Sequence, residues 1–196
     1  MGLVVIDLSM SLDGYITGPN DNPENGLGDG GDRLHEWYLS NDYGGSRTDA
    51  DKVLIENTEK ALGALIIGRR TYDNSLKYWG PKSGPHGDTP TIVVSHSVHE
   101  EGLGDGSPFT FTDNIQTAYD LAQKAAGEKD VRIMGANVAQ QYLKAGLVDE
   151  ITVHLVPAFT GGGQALFANL GADVKIWQTQ VISSQGVTHL TYRPVR

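Results

Sequence analysis

The chain of 196 residues contains no cysteine, which excludes disulfides, a thiol nucleophile and a thiolate metal site. Positive charge is also scarce: 15 Lys+Arg stand against 24 Asp+Glu, for a formal net charge of −9. Such a surface repels a phosphate backbone except at a basic run, and none exists, so no nucleic-acid partner is expected. No apolar run approaches the roughly 20 residues that span a bilayer, so no membrane partner is expected either. Met1-Gly2-Leu3-Val4-Val5-Ile6-Asp7 lacks the basic region and long apolar core of a secretion signal. Ile6 occupies the position where N-myristoylation needs Ser or Thr. The expected compartment is the cytoplasm. Glycine is plentiful, at 25 residues, but it clusters in loops without a fixed period, which argues against a solenoid. The length suits one core and one domain over residues 1–196.

The stretch Ala64-Leu65-Ile66-Ile67-Gly68-Arg69-Arg70-Thr71 is an apolar strand that stops at a glycine. Two arginines and a threonine follow, with a helix predicted over Tyr72 to Trp79. Backbone N–H groups, fixed positive charge and a hydroxyl then surround one point, the arrangement by which α/β proteins grip phosphorylated cofactors. The alternative is that both arginines cap the strand and pair with surface carboxylates.

Around this stretch, strands are predicted over Leu3 to Leu8, briefly over Tyr15 to Thr17, and over Thr91 to His96, Phe109 to Phe111, Val131 to Met134 and Asp149 to Val156. Helices are predicted over Arg33 to Leu39, Asp49 to Leu62, Asn114 to Ala126 and from Gly135 to Ala145. Lys175 to Ser183 and Gly186 to Tyr192 read as a terminal hairpin. Gly18 to Asp32, crowded with Gly, Asn, Asp and Pro, is a long loop of the kind used as lids or binding loops. Alternating strands and helices predict a mostly parallel sheet covered on both faces, made mixed by the hairpin. Ligands of such sheets sit beyond the carboxyl ends of the strands. Gly68 to Thr71, Ser95-His96, Gly135-Ala136-Asn137 and the loop after Leu8 all fall there. Asp7 is a carboxylate within the first strand, so either that strand is an edge or Asp7 projects into a polar cleft.

With these elements placed, the chain resembles the dihydrofolate reductase superfamily, nearest the branch of the riboflavin-biosynthesis reductase C-terminal domain. The resemblance rests on Ser11-Leu12-Asp13-Gly14-Tyr15-Ile16, Ile67 to Tyr72, Ile133 to Leu143, Ala145 to Glu150, and Pro157 to Gly163 with Phe167. It implies a three-layer α/β/α fold and NADPH as hydride donor. By position, it implies that Gly68, Arg69, Arg70 and Thr71 hold the pyrophosphate and 2′-phosphate, with Ser95 and His96 beside the adenosine phosphate. The turn Met134-Gly135-Ala136, with Asn137 and Val138, would bring a helix N-terminus to the pyrophosphate. Leu8 and Ser9 would meet the nicotinamide carboxamide, while Ile16 and Gly18 flank its ribose. Two departures stand out. Met134 replaces one of two glycines common in the family. The acidic residue expected early in the first helix falls in Asp32-Arg33-Leu34-His35-Glu36, where the register is ambiguous. Asp32, His35 and Glu36 are therefore candidate proton donors, with Asp7 as a competitor.

The expected activity is hydride transfer from NADPH to a conjugated C=N or C=O group of a small heterocycle, of pterin, pyrimidine or related kind. Reduction of 5-amino-6-(5-phosphoribosylamino)uracil and nucleotide binding without turnover are the alternatives. Related folds pair along sheet edges or hairpins, so a homodimer is an expectation alongside the small-molecule substrate. His96 and His99, three apart at a strand end, are not expected to bind metal. His154 is either a buried, hydrogen-bonded histidine or a pocket residue. Trp37, Trp79 and Trp177 read as core or interface.

Overall fold

The computed structural model describes residues 1–39, 47–80, 82–97, 105–171 and 174–195. The strand at its centre, β1 (Val4–Ser11), is β-branched and apolar at its start and polar at its end. It lies between β5 (Asp130–Met134) and β6 (Glu150–Val156), parallel to both. β1 is therefore no edge, and the loop expected after Leu8 begins only beyond Ser11. Pairing with β6 continues through Ser9↔His154 to Ser11↔Val156, which holds these residues extended.

On the other side of β5 follow β2 (Leu62–Gly68), β3 (Thr91–Val94) and β4 (Phe109–Thr112), all parallel. The sheet order is β4-β3-β2-β5-β1-β6-β8-β7. The hairpin of β7 (Ile176–Ser184) and β8 (Val187–Pro194) adds two antiparallel strands beyond β6. The fold is thus α/β with a mixed, mostly parallel sheet.

Period two divides the core into layers. In β2, Ala64 and Ile66 join a cluster with Ala118 and Ala122 of α4 (Ile115–Ala126) and Ala139 and Tyr142 of α5 (Ala136–Lys144). Leu65 and Ile67 face the opposite way, against Tyr72 and Leu76 of α3 (Arg69–Trp79). That second layer continues with Leu34, Trp37 and Ile55, which cover Val156 and Val187. Burial on both faces is why β2 reads as a continuous apolar run rather than an alternating one.

Several boundaries differ from expectation. Arg33 to Leu39 is a 3-10 turn (Gly31–His35) followed by the single-turn α1 (Glu36–Leu39). α2 (Asp49–Ala61) ends before Leu62, which already pairs with Asp130. α3 begins at Arg69, so the arginines lie on a helical turn rather than before one. β3 ends at Val94, leaving Ser95 and His96 beyond it. Tyr15 makes one bridge, to Ala165, in place of a strand. Trp177 is not a core residue: it lies on the outer strand, 71% exposed. Pro81 and His99 lie outside the described residues.

Candidate active site

The strand order reverses between β2 and β5. From β2 the chain passes to β3 and β4 on one side; from β5 it passes by α5 to β6 on the other. Such a switch point leaves a crevice beyond the strand ends. Here it is a cleft of about 1310 Å³. Two helices begin at its floor, and neither Gly68, which caps α3, nor Gly135, which caps α5, offers a side-chain cap. Neither helix has an acidic residue in its first turn. By contrast α2 carries a full Thr48–Asp51 capping box, and Asn114 caps α4. The open N–H groups and dipole ends at the cleft suit an anion.

Glycine is required at one point of this floor. Gly135 has φ +104°, and a Cβ there would lie 2.6 Å from Thr71 Oγ1. A side chain would fill the space between the two helix starts. That close approach fits a pyrophosphate, so the residues present accommodate a dinucleotide.

The two arginines divide. Arg69 Nε donates to Asp73 Oδ1 at 2.7 Å, while its Nη1 reaches Ser97 O at 3.1 Å, Ser97 Oγ at 3.2 Å and Ser95 Oγ at 3.4 Å. It therefore stands beside the β3 end with a partly free guanidinium. Arg70 clamps Asp21 instead, with Nε to Oδ2 at 2.6 Å and Nη2 to Oδ1 at 2.8 Å. Burial pushes the Asp21 carboxyl up, but the hydrogen bond and charge of Arg70 outweigh it and hold it below the usual carboxylate range. Asn74 and Gln164 complete this clamp on the long loop.

At the other end the cleft is acid–base in character. Asp7, with a side chain 10% exposed, accepts from His154 Nε2 at 2.7 Å and faces Arg132 Nε at 3.4 Å. Arg132 also approaches Glu59 at 3.7 Å and His86 Nε2 at 3.3 Å, and His86 Nδ1 meets Glu59 at 3.0 Å. Burial raises the Asp7 carboxyl, but the charge and hydrogen bond of His154, then Arg132 and His86, bring it below its ordinary value. Trp37, Tyr38, Leu54 and Ile55 supply flat and apolar walls. Trp37 Nε1 donates to Ser9 Oγ at 2.9 Å.

Of the residues expected from the sequence, Asp7, Leu8, Ser9, Ile16, Gly68 to Thr71, Ser95, His96 and Met134 to Val138 all line the cleft, as do Asp32 and His35. His35 Nδ1 is enclosed without a hydrogen-bond partner, and burial pushes its imidazole pKa down. Two of the expected residues are not part of this lining. Glu36 lies off the cleft, because the 3-10 turn passes into α1 at that residue. Gly18 lies behind the wall, its N–H donating to Leu27 O at 2.8 Å within the loop. Sequence reasoning missed Arg132, His86, Glu59, His189 and Asp51. Among the described residues, no group of three or more His, Cys, Asp or Glu is placed to hold a metal, and no helix is long and apolar enough to cross a membrane.

Comparison with known proteins agrees with this architecture. Residues 120–190 match the family of the RibD C-terminal domain. The uncharacterized Bacillus subtilis protein YyaP is 23% identical over 198 residues, 96% of this chain and 93% of its own. The structure of a putative riboflavin biosynthesis protein from Shewanella sp. PV-4 superposes with a TM-score of 0.72 at 24% identity, covering 99% of both chains. Dihydrofolate reductase from Enterococcus faecalis, solved with NADP(H), superposes with a TM-score of 0.57 at 15% identity, over 98% of this chain and 96% of that one. The chain thus has the fold shared by these reductase structures, and its residues 120–190 match the RibD C-terminal domain family.

Proposed function

We propose that residues 1–196 act as a single-domain, NADPH-dependent reductase of a small conjugated heterocycle, with the cytoplasm as its compartment. One observation carries this reading. A single cleft joins two uncapped helix N-termini and Arg69 at one end to the Asp7 acid–base cluster at the other. The first end is built for phosphate, the second for a neutral ring that gains a proton.

In this reading the N–H groups opening α3 and α5 hold the pyrophosphate, and Arg69 with Ser95 and Ser97 meets the 2′-phosphate. Leu8 and Ser9, between the two ends on β1, contact the nicotinamide. Bound there, the dinucleotide supplies a hydride. Trp37 and Tyr38 wall the substrate ring and exclude water, and Asp7 manages its proton.

The substrate end favours a ring without phosphate. The arginines lining the cleft are Arg69, Arg70 and Arg132, and Arg132 is already faced by Asp7 and Glu59. A phosphate entering there would meet two carboxylates. That weighs against 5-amino-6-(5-phosphoribosylamino)uracil and towards a pterin- or pyrimidine-like compound.

Calorimetric titration with NADPH and then NADH is the first test. Saturable NADPH binding, with NADH weaker, is expected, followed by NADPH oxidation within a panel of pterins, pyrimidines and quinones. Binding of neither cofactor overturns the reading. Tight NADPH binding without oxidation of any panel member would leave a nucleotide-binding module. Self-association would use the free edge of β7, where Ile176, Trp177 and Val181 are exposed; sedimentation of wild type against Trp177→Glu tests it.

A further inference from the structure

Behind Asp7 a buried chain of acid–base groups crosses the molecule. His154 Nε2 meets Asp7 Oδ1 at 2.7 Å, His154 Nδ1 meets His189 Nδ1 at 2.8 Å, and His189 Nε2 meets Asp51 Oδ1 at 2.8 Å. The two rings are register partners on β6 and β8, so the sheet itself sets the central contact. His154 is 6% exposed, His189 2% and Asp51 1%. Trp37 lies over both rings, at 4.5 Å and 4.9 Å between centroids.

Counting protons constrains this quartet. Three hydrogen bonds need three protons. Two neutral imidazoles carry one each, and two carboxylates carry none. An Nδ1···Nδ1 contact of 2.8 Å between two buried rings cannot be lone pair against lone pair, so one more proton must be present. It makes one ring an imidazolium or one carboxyl an acid. The quartet then carries a net charge of −1 instead of −2, which burial also favours.

The geometry points to a proton store. Asp7, His154, His189 and Asp51 share one proton beyond those of their neutral rings, and Asp7 hands it to the substrate at the cleft. This inference rests on the reductase reading, whose NADPH-type donor provides the hydride. The His154 Nε2–H bond breaks and its electron pair stays on the ring. The proton reaches Asp7, and the Asp7 carboxyl protonates the substrate nitrogen or oxygen while hydride adds to the adjoining carbon. The quartet is left with two protons and takes one from water after product leaves. Asp7 is the catalytic residue; His154, His189 and Asp51 are positioning residues acting through it.

Surrounding groups bias where the proton rests. Burial and the neighbouring His154 push His189 down, against the opposing hydrogen bond of Asp51. Burial raises Asp51, but hydrogen bonds from Ser184, His189 and Thr48 hold it at about 2. Both directions weight the extra proton towards the Asp7 end of the quartet. Arg132, His86, Glu59, Tyr38 and His35 face the Asp7 end from β5, the 82–89 loop, α2, α1 and the 3-10 turn.

Nitrogen-15 NMR of the full chain, without cofactor or substrate, tests the store apart from the reductase reading. At neutral pH one ring of the pair should report two protonated nitrogens and the other one. In Asp51→Asn the third proton should leave at a pH lower by about one unit or more. Ser184→Ala takes one hydroxyl from the Asp51 carboxylate but keeps its charge, and should move it less. Two singly protonated rings, with carboxyl carbon signals showing both Asp7 and Asp51 ionised, would overturn the proposal even if NADPH binds. So would an Asp51→Asn spectrum that stays dispersed while the proton leaves at the wild-type pH. With a turned-over substrate, the kcat profile should follow the same titration and shift with Asp51→Asn at constant KM for NADPH.

Discussion

Arg70 and Asp21, 49 residues apart, form a two-pronged pair in which the Asp21 side chain is 4% exposed and the Arg70 side chain 58% exposed. The adjacent Arg69 points along the β3 end instead. Two neighbouring arginines therefore do different work: one pins the loop over residues 18–32, the other keeps a partly free guanidinium at the cleft. Arg69→Ala should weaken NADPH more than NADH, by about tenfold or more, because it removes a charge-assisted contact to the 2′-phosphate. Arg70→Ala should weaken both cofactors equally and expose the loop to protease. Calorimetry with both cofactors, followed by limited proteolysis, distinguishes them. Equal losses for Arg69→Ala would remove its 2′-phosphate role.

At the floor of the cleft, Gly135→Ala should be costly twice over. The φ of +104° strains any L side chain, by about 1–2 kcal/mol, and the new methyl would displace Thr71 Oγ1. Thr71→Ala added to Gly135→Ala should recover part of the lost stability by clearing the clash, but none of the backbone strain. Chemical denaturation of the three variants separates the two contributions. Full recovery would mean that the backbone conformation costs nothing.

The half of this cleft where two helices begin was legible because its signals are local. Gly68-Arg69-Arg70-Thr71 and Met134-Gly135-Ala136 each join a strand to a helix within four residues, and a strand end is where such sheets bind. The acid–base half was not, because its members lie up to 147 residues apart and meet only through strand order. Asp7 was noticed as a charge within an apolar strand. Arg132 carries the same signal, inside Val131-Arg132-Ile133-Met134, and two opposite charges in parallel strands suggest each other as partners. His189 needed the β6–β8 register, which depends on where the hairpin folds back. Asp51 was hidden in a helix start, where Thr48-x-x-Asp51 reads as a capping box. It is that, and it also receives the His189 ring.

Trp37 offers a test of how tightly the histidine pair is sealed. Trp37→Phe keeps an aromatic face over His154 and His189 but leaves the buried Ser9 hydroxyl without its indole donor, at a cost of about 1 kcal/mol. Trp37→Ala should cost about 3–5 kcal/mol, since it opens a cavity between the rings and the cleft. Denaturant midpoints measure both. If the two variants lose the same stability, the ring contributes nothing beyond its N–H.

Stability should rise with pH through the acid range, in two steps. Burial pushes His35, His86 and His189 below their ordinary values. As pH falls through about 6.5, the unfolded chain takes up protons that these folded rings refuse, so stability drops. The carboxylates act lower down. Asp51, held at about 2 in the folded chain, stabilises fully above the unfolded value near 4; that contribution, about 2 kcal/mol, vanishes as pH falls from about 4 towards 2. Asp7 and Asp21, also held low, act in the same direction. Thermal unfolding across this range should show both steps. Asp51→Asn should flatten the lower one while leaving most of the upper, because His35 and His86 do not touch it. An unchanged lower step in that variant would place the acid sensitivity on the other two carboxylates.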